Sequence, residues 1–166
     1  MDRLRRTLVV ILVAACSAGC DQATKWVAGN ALSHRPPIAL FGDTLRLLYI
    51  ENPGAFLSLG AGLPGASRRL FFGIGALIVL ALIAAHTVLR RSTTRIQLVS
   101  IAAIAGGGAG NIIDRFTHGA VRDFLNVGVG PVRTGIFNAA DMIIMAGMGL
   151  LLWDGWRSRR RRARNP

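Results

Sequence analysis

The chain has 166 residues, 52% of them hydrophobic, with a mean hydropathy of +0.45 and a formal charge of +12. That length fits one domain, and the hydropathy is high for a soluble globule. The charge does not mark a nucleic-acid binder, which needs a basic face on a soluble fold; here the arginines stand at the ends of apolar runs, a pattern of membrane topology.

Cys16 and Cys20 lie four apart in one apolar run. They share a helix face and do not form a disulfide framework. Both are expected to be small buried side chains.

Residues 1–6, MDRLRR, are a short basic start. Residues 7–28 are mostly apolar and long enough for a first transmembrane helix, which needs about 20 residues. A cleaved signal competes with this reading: basic n-region, apolar h-region, small residues before a cut. Ser17-Ala18-Gly19-Cys20 has the form of a lipobox, so the chain would then itself be a lipoprotein cut before Cys20. The residues just after Cys20 favour a retained helix. Asp21 and Lys25 stand at i, i+4, where opposite charges meet on one face, and Trp26 suits the interface.

Residues 29–69 change character, punctuated by Pro36-Pro37, Gly42, Pro53-Gly54 and Pro64-Gly65. Leu45–Ile50 is a strand candidate. Asn52-Pro53-Gly54 turns the chain, and Ala55–Leu59 is expected to pair back as a second strand. The result is a small β-rich module outside the bilayer, resting on the helices and the lipid surface. Residues 70–89 are an uncharged apolar run and the clearest span. Residues 90–95 are a basic loop, and 96–113 a third span whose Gly106–Gly110 allows close helix contact in lipid. A phosphate-cradling loop is rejected, because no Lys-Ser/Thr follows. Residues 114–136 read as a polar connection, 137–154 as a fourth span, and 155–166 as a disordered basic tail.

Arginine placement orients these spans. The start, loop 90–95 and the tail carry the basic clusters and fall on one side, which the positive-inside rule makes cytoplasmic. Module 29–69 and connection 114–136 then face outward together, bringing Asp123 and Asp141 near the β module. The expected fold class is a mainly α membrane protein with four transmembrane helices, both termini cytoplasmic.

The chain has only eight acidic residues, and Asp114, Asp123 and Asp141 all fall within 106–141. Ionisable groups at a bilayer read as functional by default. Metal-binding His/Cys spacing is absent, including HExxH. Ser58 has no evident base, and of His34, His86 and His118 only His118 lies near the acidic cluster. Paired carboxylates fit better: two close Asp groups share a proton, so one takes a proton from water while the other donates one. Structural readings stand beside this. Asn138 and Asp141 have the spacing of a helix N-cap and its N3 partner. Asp123 has the reading of a loop surface charge, Asp114–Arg115 of a local ion pair, and Asp21–Lys25 of a structural pair. Asn111 is spaced to share a face with Asp114 and Arg115. A non-catalytic alternative is a polytopic transporter or binding protein that uses the intramembrane charges as a relay.

Five blocks, in order, carry a resemblance: Asp21-Gln22-Ala23-Thr24-Lys25, Asn52-Pro53-Gly54-Ala55-Phe56, Gly107 through Arg115, Val121-Arg122-Asp123-Phe124 and Phe137-Asn138-Ala139-Ala140-Asp141. Together, over about residues 8–153, they resemble lipoprotein signal peptidase (signal peptidase II). The resemblance implies four transmembrane helices with a small extracytoplasmic β cradle, in a bacterial cell membrane. It implies an aspartic endopeptidase that cuts diacylglyceryl-modified prolipoproteins just before the lipidated Cys. Asp123 and Asp141 match the catalytic dyad. Asn52, Gly54, Asn111, Arg115 and Asn138 match residues that line and orient the site, and Asp21, Lys25 and Asp114 match structural supports. It further implies inhibition by globomycin-type peptides, no metal or other cofactor, membrane lipid as surroundings, no nucleic-acid partner and a monomer. Leu57-Ser58-Leu59 is bulkier than the family's turn, and the arginine tail is long.

Overall fold

A computed structural model of the chain describes residues 2–54, 62, 64–90 and 93–164. Helix α1 runs Arg3–Leu32; Asp2 caps it by accepting a hydrogen bond from Arg5 N at 2.8 Å. Strands β1 (Ile38–Leu40) and β2 (Leu45–Asn52) come after it. Next are a short α2 (Gly65–Arg68), a π-helical stretch (Arg69–Gly75) and α3 (Ala76–Leu89). Helix α4 (Arg95–Thr117) starts at a capping box between Thr94 and Gln97. Strands β3 (Val121–Val129) and β4 (Val132–Arg133) precede α5 (Ala139–Arg164).

Among the described residues, three helical segments are long and apolar enough to cross a membrane: Arg3–Leu32, Phe71–Leu89 and Arg95–Thr117. Helix α5, expected as a fourth span, is not among them; it carries Asp141 in its first turn and a run of arginines at its far end. That far end, expected to be disordered, is instead helical to Arg164. Arg157 and Arg160 lie over the Trp153 and Trp156 rings, 5.3 and 4.0 Å from the centroids, which steadies the extension.

Helix α4 is central, packing against α1, α3 and α5. Its glycines explain how one helix serves three neighbours. A Cβ on Gly106 would collide with Ala14 of α1, one on Gly107 would lie 2.8 Å from Ala140 O of α5, and one on Gly108 would strike Leu80 of α3. Successive residues point about 100° apart on a helix, so the three glycines admit three helices at close range.

The sheet order is β1-β2-β3-β4, all antiparallel, with a register shift between Leu47 and Ile50 where β2 meets β3. Half of this sheet therefore comes from residues 114–136, expected as a connection. Ala55–Leu59, the expected partner of β2, lies outside the described residues, as does Ser58. The sheet rests on the end of α1, where Ala28, Leu32 and Phe124 form a buried cluster flanked by Leu47 and Tyr49.

The interior is unusually polar. Lys25, Asp21, Asp114 and Asn138 are among the largest fully buried side chains, whereas Ile11, Leu12, Phe71 and Leu82 are exposed. Cys16 and Cys20, expected to be buried, are also exposed. In lipid the outward face of a helix gains nothing from being polar, so apolar residues do not mark the core. At the end opposite the sheet, buried Arg6 donates from Nη2 to Thr87 O and Arg90 O at 2.7 and 2.6 Å, capping α3. Buried Asp154 there accepts from Thr94 Oγ1 at 3.1 Å and Gln97 Nε2 at 2.9 Å, tying α5 to the start of α4.

Candidate active site

Where the sheet meets the helices, Asp123 of β3 and Asp141 of α5 come to one place. Strand β3 pairs Asp123 with Ile50, which sets Asn52 nearby on β2. Asn52 Nδ2 donates to Asp123 Oδ2 at 3.2 Å, and Asn138 Nδ2 donates to Asp123 Oδ1 at 2.6 Å. Asn111 Nδ2, from α4, donates to Asp141 Oδ1 at 3.1 Å. Asn138 N donates to Asp141 Oδ2, and Asp141 N donates back to Asn138 Oδ1, both at 3.1 Å. Each of the four carboxylate oxygens thus receives an N–H from a neutral amide. The capping-box spacing read in the sequence is real, and its N-cap side chain also holds the other aspartate. Asp123 is not a loop surface charge; it is 4% exposed.

Burial pushes the Asp123 carboxyl up to about 6. Hydrogen bonds from Asn52 and Asn138 oppose that shift, and the neighbouring Asp141 charge adds to it.

Arg115 does not pair with Asp114. Its Nη2 donates to Gly54 O at 2.9 Å and its Nη1 to Asn111 O at 3.1 Å, and its charge acts on both Asp123 and Asp141. Gly54 N in turn donates to Asn52 Oδ1 at 3.0 Å. Asn52, Asn111 and Asn138 therefore bond the two carboxylates directly, and Gly54 and Arg115 stand one contact further out. His118 does not join them; it is exposed at the end of α4 beside Thr117 Oγ1.

The residues expected as supports form a second network beside the first. Lys25 Nζ lies 2.7 Å from Asp21 Oδ2 and 3.1 Å from Asp114 Oδ2. Asp21 Oδ1 accepts from Ala140 N at 2.9 Å, at the start of α5. Asp114 belongs with Arg122, not Arg115: Arg122 Nη2 is 2.7 Å from Asp114 Oδ1, and Arg122 N donates to Asp114 Oδ2 at 3.0 Å. Gln22 Nε2 donates to Asp114 Oδ1 and Gly110 O, both at 3.0 Å, while its Oε1 accepts from Arg122 Nη2 at 2.9 Å. Sequence reasoning missed Gln22 and Arg122 as members. Their signal was adjacency to Asp21 and Asp123 within two of the motif blocks. Lys25 Nζ also donates to Asn111 Oδ1 at 2.7 Å, so Asn111 joins the two networks.

Two apolar clefts reach the site. One, of about 520 Å³, lies among α3, α4 and α5 and touches Asn111 and Arg115. The other, of about 250 Å³, runs past Phe137, Met142 and Met145 to Asp141.

Residues 13–157 match the family profile described as Signal peptidase (SPase) II. A lipoprotein signal peptidase of Moorella thermoacetica is 32% identical over 144 residues, covering 87% of this chain and 90% of that protein. One of Methylocella silvestris is 38% identical over 148 residues, covering 86% and 82%. A solved structure described as a bacterial membrane enzyme, at 2.3 Å resolution, superposes with a TM-score of 0.76 at 25% identity, covering 90% of this chain and 88% of that one.

Proposed function

The chain belongs to the signal peptidase II family, and from that premise we propose that it removes signal peptides from diacylglyceryl-modified prolipoproteins by aspartic hydrolysis, with Asp123 and Asp141 as the dyad. The observation that carries this reading is the set of four amide N–H donors on the two carboxylates, with no cation bonded to either among the described contacts. Amides orient a carboxylate without neutralising it, so the pair remains free to exchange protons.

Asp123, raised by burial, holds the shared proton. Asp141 sits in the first turn of α5, where the helix N-terminus favours negative charge. A water between them gives its proton to Asp141 as its oxygen attacks the scissile carbonyl carbon. Asp123 delivers its proton to the carbonyl oxygen. Collapse of the tetrahedral diol breaks the C–N bond as the leaving amine takes up the proton from Asp141, and a diol proton returns to Asp123. Arg115 acts on this site by position, since it fixes the Gly54 peptide and Asn111 beside the dyad.

The apolar clefts suit a substrate that stays in the membrane. A lipidated Cys holds its scissile bond at the bilayer surface, and the clefts between the helices admit apolar substrate laterally. In the matching topology α5 is the fourth span, both termini are cytoplasmic, and the dyad and sheet face outward. Basic clusters at the start, at loop 90–95 and at the tail support that orientation.

The test is cleavage of a purified diacylglyceryl-prolipoprotein in detergent by wild type, Asp123→Asn and Asp141→Asn. Mass analysis should place the cut just before the modified Cys for wild type only. Substantial cleavage by either folded variant refutes the dyad.

A further inference from the structure

The β1–β2 turn is built against ordinary backbone preference. Phe41, Gly42 and Asp43 have φ of 52°, 62° and 67°, yet only one of them is glycine. Left-handed backbone is unfavourable for a residue with a Cβ, and Phe has no polar side chain to compensate locally. Such an outlier persists only where its surroundings enforce it. Here Asp43 Oδ1 and Oδ2 accept from Arg46 Nε and Nη2, both at 2.6 Å, Arg133 Nη1 donates to Asp43 O at 2.8 Å, and Gly128 N donates to Thr44 O at 2.8 Å. The last two contacts clamp this turn to the β3–β4 turn, so both lie at the same end of the sheet, away from the dyad.

This rigid end displays large apolar side chains beside the part-exposed Asp43–Arg46 ion pair. Phe41 is 81% exposed, Val129 75% and Val132 78%, with Pro131 between the valines. Helix α1 sets the depth. Its 30 residues span about 45 Å, close to a bilayer of about 40–45 Å with headgroups. The sheet lies on the last turns of α1, at Ala28 and Leu32, and so at interfacial depth. Just below, Trp26 and Val27 are exposed on α1, where an aromatic belt belongs. Between α1 and the sheet opens a groove of about 380 Å³ lined by Val27, Ala31, Leu32, Leu47 and Phe124 among others. Exposed Val27 of α1 lies on the wall of this groove, so apolar helix surface borders it.

We propose that the two clamped turns, residues 41–44 and 129–132, form a lipid-inserting edge in which Phe41, Val129 and Val132 enter the phospholipid interface and fix the depth of the sheet. The inference needs only the membrane-spanning helices and does not depend on the dyad. Strain at Phe41 then has a function: it aims a large apolar side chain where no glycine-type turn residue would place one.

The experiment is power-saturation electron paramagnetic resonance on nitroxides at Phe41→Cys and Val132→Cys, in a Cys16→Ala, Cys20→Ala background reconstituted into phosphatidylcholine–phosphatidylglycerol vesicles. A label at Leu12→Cys, exposed in mid-helix, calibrates the hydrocarbon, and free label calibrates water. Both turn labels should show a ratio of oxygen to nickel-chelate collision several-fold above the water value. A water-like ratio overturns the proposal. So does low access to both reagents, which would mean a protein partner such as a second copy covers the edge. As a second readout, adding Phe41→Gly, which fits the turn backbone, should shift the Val132→Cys label toward water. An unchanged label there removes Phe41 as an anchor.

Discussion

Two pairs of aspartates lie side by side in this molecule and are treated in opposite ways. Asp21 and Asp114 are matched by Lys25 and Arg122, two formal negative charges against two positive, all buried. Asp123 and Asp141 are held by Asn52, Asn111 and Asn138, which carry no charge. The first arrangement sets a cation against each buried carboxylate, which offsets the cost of burying its charge. The second fixes geometry and leaves the proton free to move. Carboxylate content alone does not tell the two pairs apart; the charge of the donors does.

The sharpest break of this contrast is on activity. Asp123→Asn or Asp141→Asn should lower prolipoprotein cleavage by at least about 10²–10⁴-fold, with the fold kept, as measured by initial rates alongside thermal melts. Next in size, Lys25→Met should destabilise by about 3–5 kcal/mol, because it leaves the buried Asp21 carboxylate without a cation and takes one of two from Asp114. Melting in detergent checks this, and an unchanged midpoint would mean the network is not structural.

The pH response should differ between the pairs as well. Asp123 rises from an unfolded value of about 3.9 to about 6 in the fold, so the native state binds more protons between those limits. Its contribution to stability is complete below pH 4 and lost as pH rises through 6, about 3 kcal/mol in all. Wild type should show that downward slope relative to Asp123→Asn, and cleavage should fall above about pH 6 as Asp123 loses its proton. A flat difference in stability across this window would argue against the raised carboxyl. Smallest is Gly110→Ala, whose Cβ would press on the Asp21 carboxylate. It should cost about 1–3 kcal/mol and leave the pH limb where it was.

Much of the site is legible in the sequence because its chemistry is local. Asp21–Lys25 sit one helical turn apart, and Asn138 and Asp141 sit at cap spacing; both pairs meet as the spacing predicts. The long apolar run at 70–89 is legible for the same reason. Strand β3 is not. Arg122, Asp123 and Asn126 interrupt any apolar alternation, and they are buried only because their partners arrive from distant elements, Gln22 for Arg122 and Asn52 for Asp123. Spacing points Asp114 toward its neighbour Arg115, whereas its actual partners, Lys25 and Arg122, are brought in by tertiary packing. The cysteines mislead because lipid reverses the usual link between apolar and buried.

Arg6 carries a consequence for biosynthesis. Its two acceptors, Thr87 O and Arg90 O, are 81 and 84 residues further along the chain. During synthesis the first helix is complete long before those carbonyls have left the ribosome. The guanidinium therefore waits at the membrane surface, then is sealed beneath the end of the next helix when that helix arrives. A charge carried by the first helix thus ends as the rivet that closes the finished bundle.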